Sequence, residues 1–194
     1  MSYWKIDPHH SDVTFKVQHL LVAAVTGYFE KFDATIEASQ EDFSDAVFRF
    51  EAETNSINSG NEKRDEHLRS VDFFDAASFP RMWFVSKAVR VVSDFELQIV
   101  GDLTLRGVNR EIVLDAYYNG SVGGIAGGMV AGFEIRTKLR RFDFGLQWNG
   151  LTGDGNVLAG NEVKIEILGE FIKAQGASTD HLPSRRTGAM GIPQ

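Results

Sequence analysis

Histidines beside carboxylates are the first residues in this chain whose types could do chemistry. His9, His10 and His19 lie near Asp7 and Asp12, a set of nitrogen and oxygen donors of the kind that binds a metal ion. Their spacing matches no tight ligand motif, and adjacent residues such as His9 and His10 point apart in an extended chain. Asp7, His9 and Ser11 supply the residue types of a nucleophilic triad but sit too close in one extended segment to meet as one. Arg64-Asp65-Glu66-His67 gathers a cation, two carboxylates and an imidazole. Neighbours on a helix face different ways, so most of that run reads as a solvated face. Arg64 and Leu68, four apart, share a face and could sit at a cavity mouth. The glycine-rich stretch from Gly120 to Gly128 is followed by no Gly-Lys-Ser/Thr and is flanked by strand-like sequence, so it reads as a hairpin and not a phosphate cradle. No Gly-x-Ser-x-Gly elbow occurs. An enzyme is therefore the minority reading for this chain, and no catalytic residue, metal or cofactor is expected.

His19 differs from the other histidines because of the element that carries it. From Asp12 to His19 polar and apolar residues alternate, which in a strand puts Val13, Phe15, Val17 and His19 on one face. His19 is then either a core histidine bonded to a backbone carbonyl or a polar contact for a ligand headgroup. A short strand from Tyr3 to Asp7 precedes it, ended by Pro8. The apolar run His19–Val25 lacks alternation and predicts a short helical turn. Gly27 is expected to open a strand with Phe32, Ala34, Ile36 and Ala38 on one face. Glu41–Asp45 reads as a polar turn, and Phe48, Phe50 and Ala52 mark the next strand. Asn61 is placed to cap a helix over Glu62–Ser70. The cluster Val71, Phe73, Phe74 and Phe79 follows, in the longest break in strand rhythm and the candidate lid or plug.

Strand rhythm resumes with Met82, Phe84 and Ser86, then Leu97, Ile99, Gly101, Leu103 and Leu105. It continues through Ile112, Leu114, Ala116 and Tyr118, then Met129, Ala131, Phe133, Ile135 and Leu139, and ends with Val163, Ile165, Ile167, Gly169 and Phe171. Seven or eight strands joined by hairpin turns predict an antiparallel sheet curled into a barrel, with a sandwich as the alternative. After Ala174 the composition shifts to Gly, Ser, Pro and Arg, so residues 1–174 read as one domain and 175–194 as a flexible tail.

The chain has 194 residues, enough for one domain with a sizeable core. A net charge of −7 with no basic run argues against nucleic acid and against an anionic membrane surface. With no cysteine there is no disulfide framework and no thiol chemistry. No basic-then-apolar leader is visible at the N-terminus, so a cytoplasmic location is expected, and no apolar stretch approaches a membrane span. Trp83 and Tyr117 fall on outward parity, which makes a homodimer the expected use of two otherwise wet aromatics.

Four separated segments, in order, resemble the YceI-like family of lipocalin-like bacterial proteins. They are Ile6-Asp7-Pro8 with His10-Ser11, Val13, Phe15, Val17 and His19-Leu20; Arg64-Asp65, His67-Leu68, Ser70 and Asp72-Phe73-Phe74-Asp75; Gly101 through Val108; and Arg141-Phe142-Asp143-Phe144-Gly145. The resemblance covers about Tyr3 to Lys173. It implies an all-β fold, an extended eight-stranded antiparallel barrel with a short helical insertion near one end. It also implies a non-catalytic protein holding a polyisoprenoid or isoprenoid quinone as its apolar ligand. Inward parity then makes Phe15, Val17, Phe48, Phe50, Phe84, Leu103, Leu105, Phe133 and Ile135 the expected lining. Leu68, Phe73 and Phe74 are expected to close the mouth, and His19 to be a polar fixture. The rival expectation is a barrel isomerase or cyclase using His19 and Arg64.

Overall fold

The computed structural model describes residues 1–174 apart from Leu21, Ile125, Ala126, Thr152, Asp154, Asn156 and Val157. The residues expected to form a tail, 175–194, lie outside the described residues. The strands are β1 Ser2–Ile6, β2 Asp12–His19, β3 Ala23–Phe29, β4 Phe32–Ala38, β5 Val47–Glu53, β6 Ile57–Asn58, β7 Arg81–Val91, β8 Glu96–Leu105, β9 Val108–Gly123, β10 Met129–Arg140 and β11 Ala159–Lys173. Among the described residues one α-helix, α1 Glu62–Arg69, falls between β6 and β7.

These segments make eight staves. β1 and β2 both pair with β11 and are two halves of one broken stave. β3 pairs with β2 and β4 with β1, giving the second. β5 pairs with β4 and β6 with β3, giving the third. From β7 to β11 each strand pairs antiparallel with the next, and β5–β7 completes the ring. The result is an eight-stranded antiparallel barrel in which sequence neighbours are spatial neighbours and the seam is β11 on β1 and β2. The β8–β9 connection has two residues with positive φ, Arg106 at 50° and Gly107 at 72°, the turn whose twist suits a two-residue hairpin.

Two expectations for the second stave need correcting. The apolar run after His19 is not a helical turn. Leu20 has φ 53°, the Val22 N–H donates to the His19 carbonyl at 3.3 Å, and Ala23 already pairs across from His19 in a hairpin. Pairing with β2 gives that backbone its hydrogen bonds, and the small, exposed Ala23 and Ala24 have no helix face to bury. Gly27 does not open a strand but lies inside β3, opposite Phe15, where a Cβ would collide with the Phe15 ring and the Asn58 carbonyl. The strand then breaks at Glu30 and Lys31, whose N–H groups donate to the Ser56 carbonyl and hydroxyl, each at 3.1 Å.

Inward parity holds in the strands that carry it: Val13, Phe15, Phe84, Ile99, Leu103 and Ile135 are buried. One end of the barrel is floored by aromatic rings. Phe43 sits 5.1 Å, ring to ring, from both Tyr118 and Phe133, and 5.6 Å from Trp4. It comes from the turn read as polar. Asp45 accepts hydrogen bonds from the Ser39 and Gln40 N–H groups, and Phe43 takes a φ of 58° that turns its ring into the barrel, where it is 2% exposed.

Candidate functional site

The barrel encloses two apolar chambers. The larger, about 300 Å³, lies under α1 at the end opposite the aromatic floor, and the smaller, about 90 Å³, lies deeper. Phe29, Met82, Leu103, Leu139 and Ile165 line both and form a waist between them. An apolar void of the smaller size stays dry, so only apolar groups would enter it favourably.

β2 delivers Phe15, Val17 and His19 to the larger chamber, and β8 delivers Leu103 and Leu105. Leu68 reaches it from α1, and Phe73 and Phe74 from the segment that follows. Phe48, Phe50, Phe84 and Ile135 line the deeper chamber, as Leu103 does again. Phe133 lines neither. It is 1% exposed at the centre of the floor, against Phe43, Phe48, Tyr118 and Phe171.

The mouth carries the polar groups. Asn61 caps α1 by accepting from the Arg64 N–H at 3.1 Å, as its sequence position required. Arg64, His67 and Leu68, at helical spacing i, i+3 and i+4, face the larger chamber together. Arg64 is fixed by Nε donating to the Ser59 hydroxyl at 2.7 Å and Nη2 to the Ser59 carbonyl at 2.8 Å. His67 Nε2 pairs with the Asp72 carboxylate at 2.9 Å, and its ring meets Phe73 and Trp148 edge to face at 5.1 and 5.0 Å. Arg64 and Leu68 share the chamber face as their spacing predicted, while the solvated-face reading of this run fails for Asp65 and His67. Only Glu66 is exposed; Asp65 is buried, accepting from Ser59 N–H at 2.9 Å.

Arg141 is 5% exposed and lines the same chamber. Its guanidinium donates to four carbonyls: Gly160, Leu146, Trp148 and Ala159, at 2.7 to 3.0 Å. It also lies over the Phe142 ring at 4.4 Å. Burial pulls its pKa down from the usual guanidinium value. Among the described residues no carboxylate lines this chamber; its polar members are Gln18, His19, Arg64, His67 and Arg141.

The other residues with chemical potential are elsewhere. The Asp7 carboxylate accepts from the His9 N–H at 2.9 Å and pairs with His10 Nδ1 at 2.8 Å, with Glu170 at 3.9 Å from the same nitrogen. The cluster is on the outer surface at the β1–β2 corner, and Asp12 and His19 do not join it. The Ser11 hydroxyl accepts from the Glu170 N–H, so it is not presented to His9. The glycine-rich segment joins β9 to β10, two strands, as the hairpin reading required.

The profile of the YceI-like domain matches residues 4–171. The chain belongs to the YceI-like domain family. A UPF0312 protein of Staphylococcus aureus (SAS2572) is 36% identical over 172 residues, covering 88% of this chain and 98% of its own. Among solved YceI-like structures, that of Campylobacter jejuni aligns at 27% identity with a TM-score of 0.68, covering 81% and 90% of the two chains. A structure from Saccharophagus degradans, described as a polyisoprenoid binding domain, shares the fold with a TM-score of 0.64 at 13% identity, over 88% and 98%. In this YceI-like chain the Arg141–Gly145 motif is a hinge: Arg141 is the buried cation, Phe144 is buried, and Gly145 takes φ 76° to send the chain on to Trp148.

Sequence reading missed Arg141, Trp148, Met82 and Phe29 as chamber residues. A fully buried arginine has no local signature, and Trp148 lies in a segment without periodicity. Phe29 and Met82 were legible by parity, since both fall on inward positions of their strands.

Proposed function

We propose that this protein is a non-catalytic carrier that takes one long apolar chain, of the polyisoprenoid or isoprenoid quinone class, tail first into the barrel. The observation that carries the reading is the pair of chambers in line, walled by Phe, Leu, Ile and Met. Each methylene buried there contributes about 0.8 kcal/mol, so a tail of several isoprene units is held without strong polar contacts. The polyisoprenoid description of the Saccharophagus degradans domain, which shares the barrel, supports the same ligand class. Organic extraction of the purified protein followed by mass spectrometry should recover a stoichiometric isoprenoid lipid. Recovery of none, with no uptake of added lipid, would overturn the reading.

One observation favours a second reading. His19 and Arg64 line the same chamber, as an isomerase or cyclase acting on a bound lipid would need. Against it, a guanidinium stays protonated at neutral pH and serves poorly as acid or base. A lipid recovered with unchanged mass and chromatographic retention after long incubation supports the carrier; a new isomer supports the enzyme.

A further inference from the structure

The chain carries 27 acidic and 20 basic residues, yet among the described residues the mouth chamber admits two arginines, two histidines and no carboxylate. Neither arginine makes a direct ion pair among the described residues, although the buried Asp65 shares the Ser59 hydroxyl with Arg64 and Asp72 pairs with His67. All the side-chain partners of Arg141 are carbonyl oxygens, and Arg64 is held by Ser59 through Nε and Nη2, leaving Nη1 without a protein partner among the described residues. Arg64, which lines the chamber, is thus both positioned and available: Nε and Nη2 are anchored, and the donors of Nη1 are unused by the protein. A neutral headgroup closing the mouth would strip water from Arg64 and return no charge, which is costly. An anion there would accept a charge-assisted bond from Arg64, in the field of Arg141 and beside His19 and His67.

We propose that the ligand carries an anionic headgroup, a carboxylate or a phosphate, which Arg64 meets at the barrel mouth while the tail fills the two chambers. This rests on the carrier reading above and narrows it, away from neutral quinones and towards long-chain acids or prenyl phosphates. Arg141 acts as a fixed background charge, because its donors are engaged in holding the loop.

The test uses the delipidated full chain and two matched pairs of probes: laurate against dodecanol, and farnesyl phosphate against farnesol. Binding is followed by the fluorescence of Trp148, which lines the chamber. Each acid should bind about tenfold more tightly than its alcohol, the worth of one charge-assisted hydrogen bond. In Arg64→Gln the ratio within each pair should fall to near one, and in Arg64→Lys most of it should survive, which also covers a Gln variant that folds poorly. A larger ratio in the laurate pair points to a fatty acid, and in the farnesyl pair to a prenyl phosphate. Equal binding of acids and alcohols overturns the headgroup and leaves the carrier reading intact. An acid preference that persists in Arg64→Gln overturns the role of Arg64. Failure of all four probes to bind overturns both readings together.

Discussion

Arg141 Nη1 donates to the Trp148 carbonyl at 2.7 Å, so a buried cation holds the backbone of the residue whose indole lines the same chamber. The same nitrogen reaches the Leu146 carbonyl, and Nε and Nη2 reach β11 at Gly160 and Ala159. One side chain thereby ties the segment after β10 to the start of the closing strand.

Arg141→Met should therefore leave four carbonyls without their donor. The loss should be about 3 kcal/mol or more, read as a fall in Tm on the order of 10 °C at this chain length. Arg141→Lys should recover little of it, because an ammonium cannot span four acceptors in two directions. A melting point for Arg141→Met within a degree or two of the parent would show that the loop is held by other means.

Phe15 is buried, packed over Gly27 and beside Phe29 with ring centroids 5.9 Å apart, and one side of it faces the 300 Å³ chamber. Phe15→Trp should place its extra ring in that space, costing less than about 1 kcal/mol where a filled core would lose about 1–3 kcal/mol. Extractable lipid should fall clearly. Thermal melting of the lipid-free variant, set beside its lipid content, separates the cases, and an unstable variant with a full lipid load would contradict the prediction.

Met82 lines both chambers at the waist, where an unbranched side chain can move aside. Met82→Ala should join the chambers, destabilising the empty protein by about 2–4 kcal/mol and shifting preference towards longer tails. Affinities for a series of alkyl chains in parent and variant would show it. An unchanged length preference would mean that the deeper chamber is not used.

Asp7 and His10 give a pH dependence whose sign is fixed. The hydrogen bond His10 donates to Asp7, then the charges of Asp7 and Glu170, raise His10 above its ordinary 6.5. Stability from this histidine is present in full below pH 6.5 and is lost as pH rises through the higher folded value. The bond to His10, and after it the His9 N–H, lowers Asp7 from its ordinary 3.8. That contribution is lost as pH falls through the depressed value. His10→Asn should flatten the decline in denaturation midpoint above pH 6.5; an identical slope in parent and variant would remove the pair from the account.

Much of the barrel was legible because a strand with one buried face writes its parity into the sequence. β2, β8 and the first half of β7, up to the bulge after Ser86, place every second residue inward, and all three were placed on that pattern. The breaks in the staves were hidden: alternation from Gly27 to Ala38 predicts one strand, and only the hydrogen bonds to Ser56 reveal the corner. Phe43 was hidden by its polar neighbours, since the left-handed backbone that turns it inward is set by Asp45 binding the other side of the turn. At the mouth, Leu68, Phe73 and Phe74 were found as a cluster of bulk near a charged helix. His67 and Arg141 were not, because their placement depends on contacts made across the fold, with Trp148 and with Gly160.

The seam has a consequence for how the protein comes to exist. Thr14 meets Glu166 across a separation of 152 residues, and every other stave pairing is between neighbours in the chain. During synthesis β1 through β10 can pair as they emerge, but β11 arrives last, and until then the sheet is an open trough with β1, β2 and β10 as bare edges. Such edges invite pairing with other chains. A ribosome stalled before residue 159 would hold a greasy half-pipe with no interior, so a lipid can be enclosed only by a completed chain. In the life of a newly made molecule, closure of the seam therefore comes first, and loading through the mouth can only follow it.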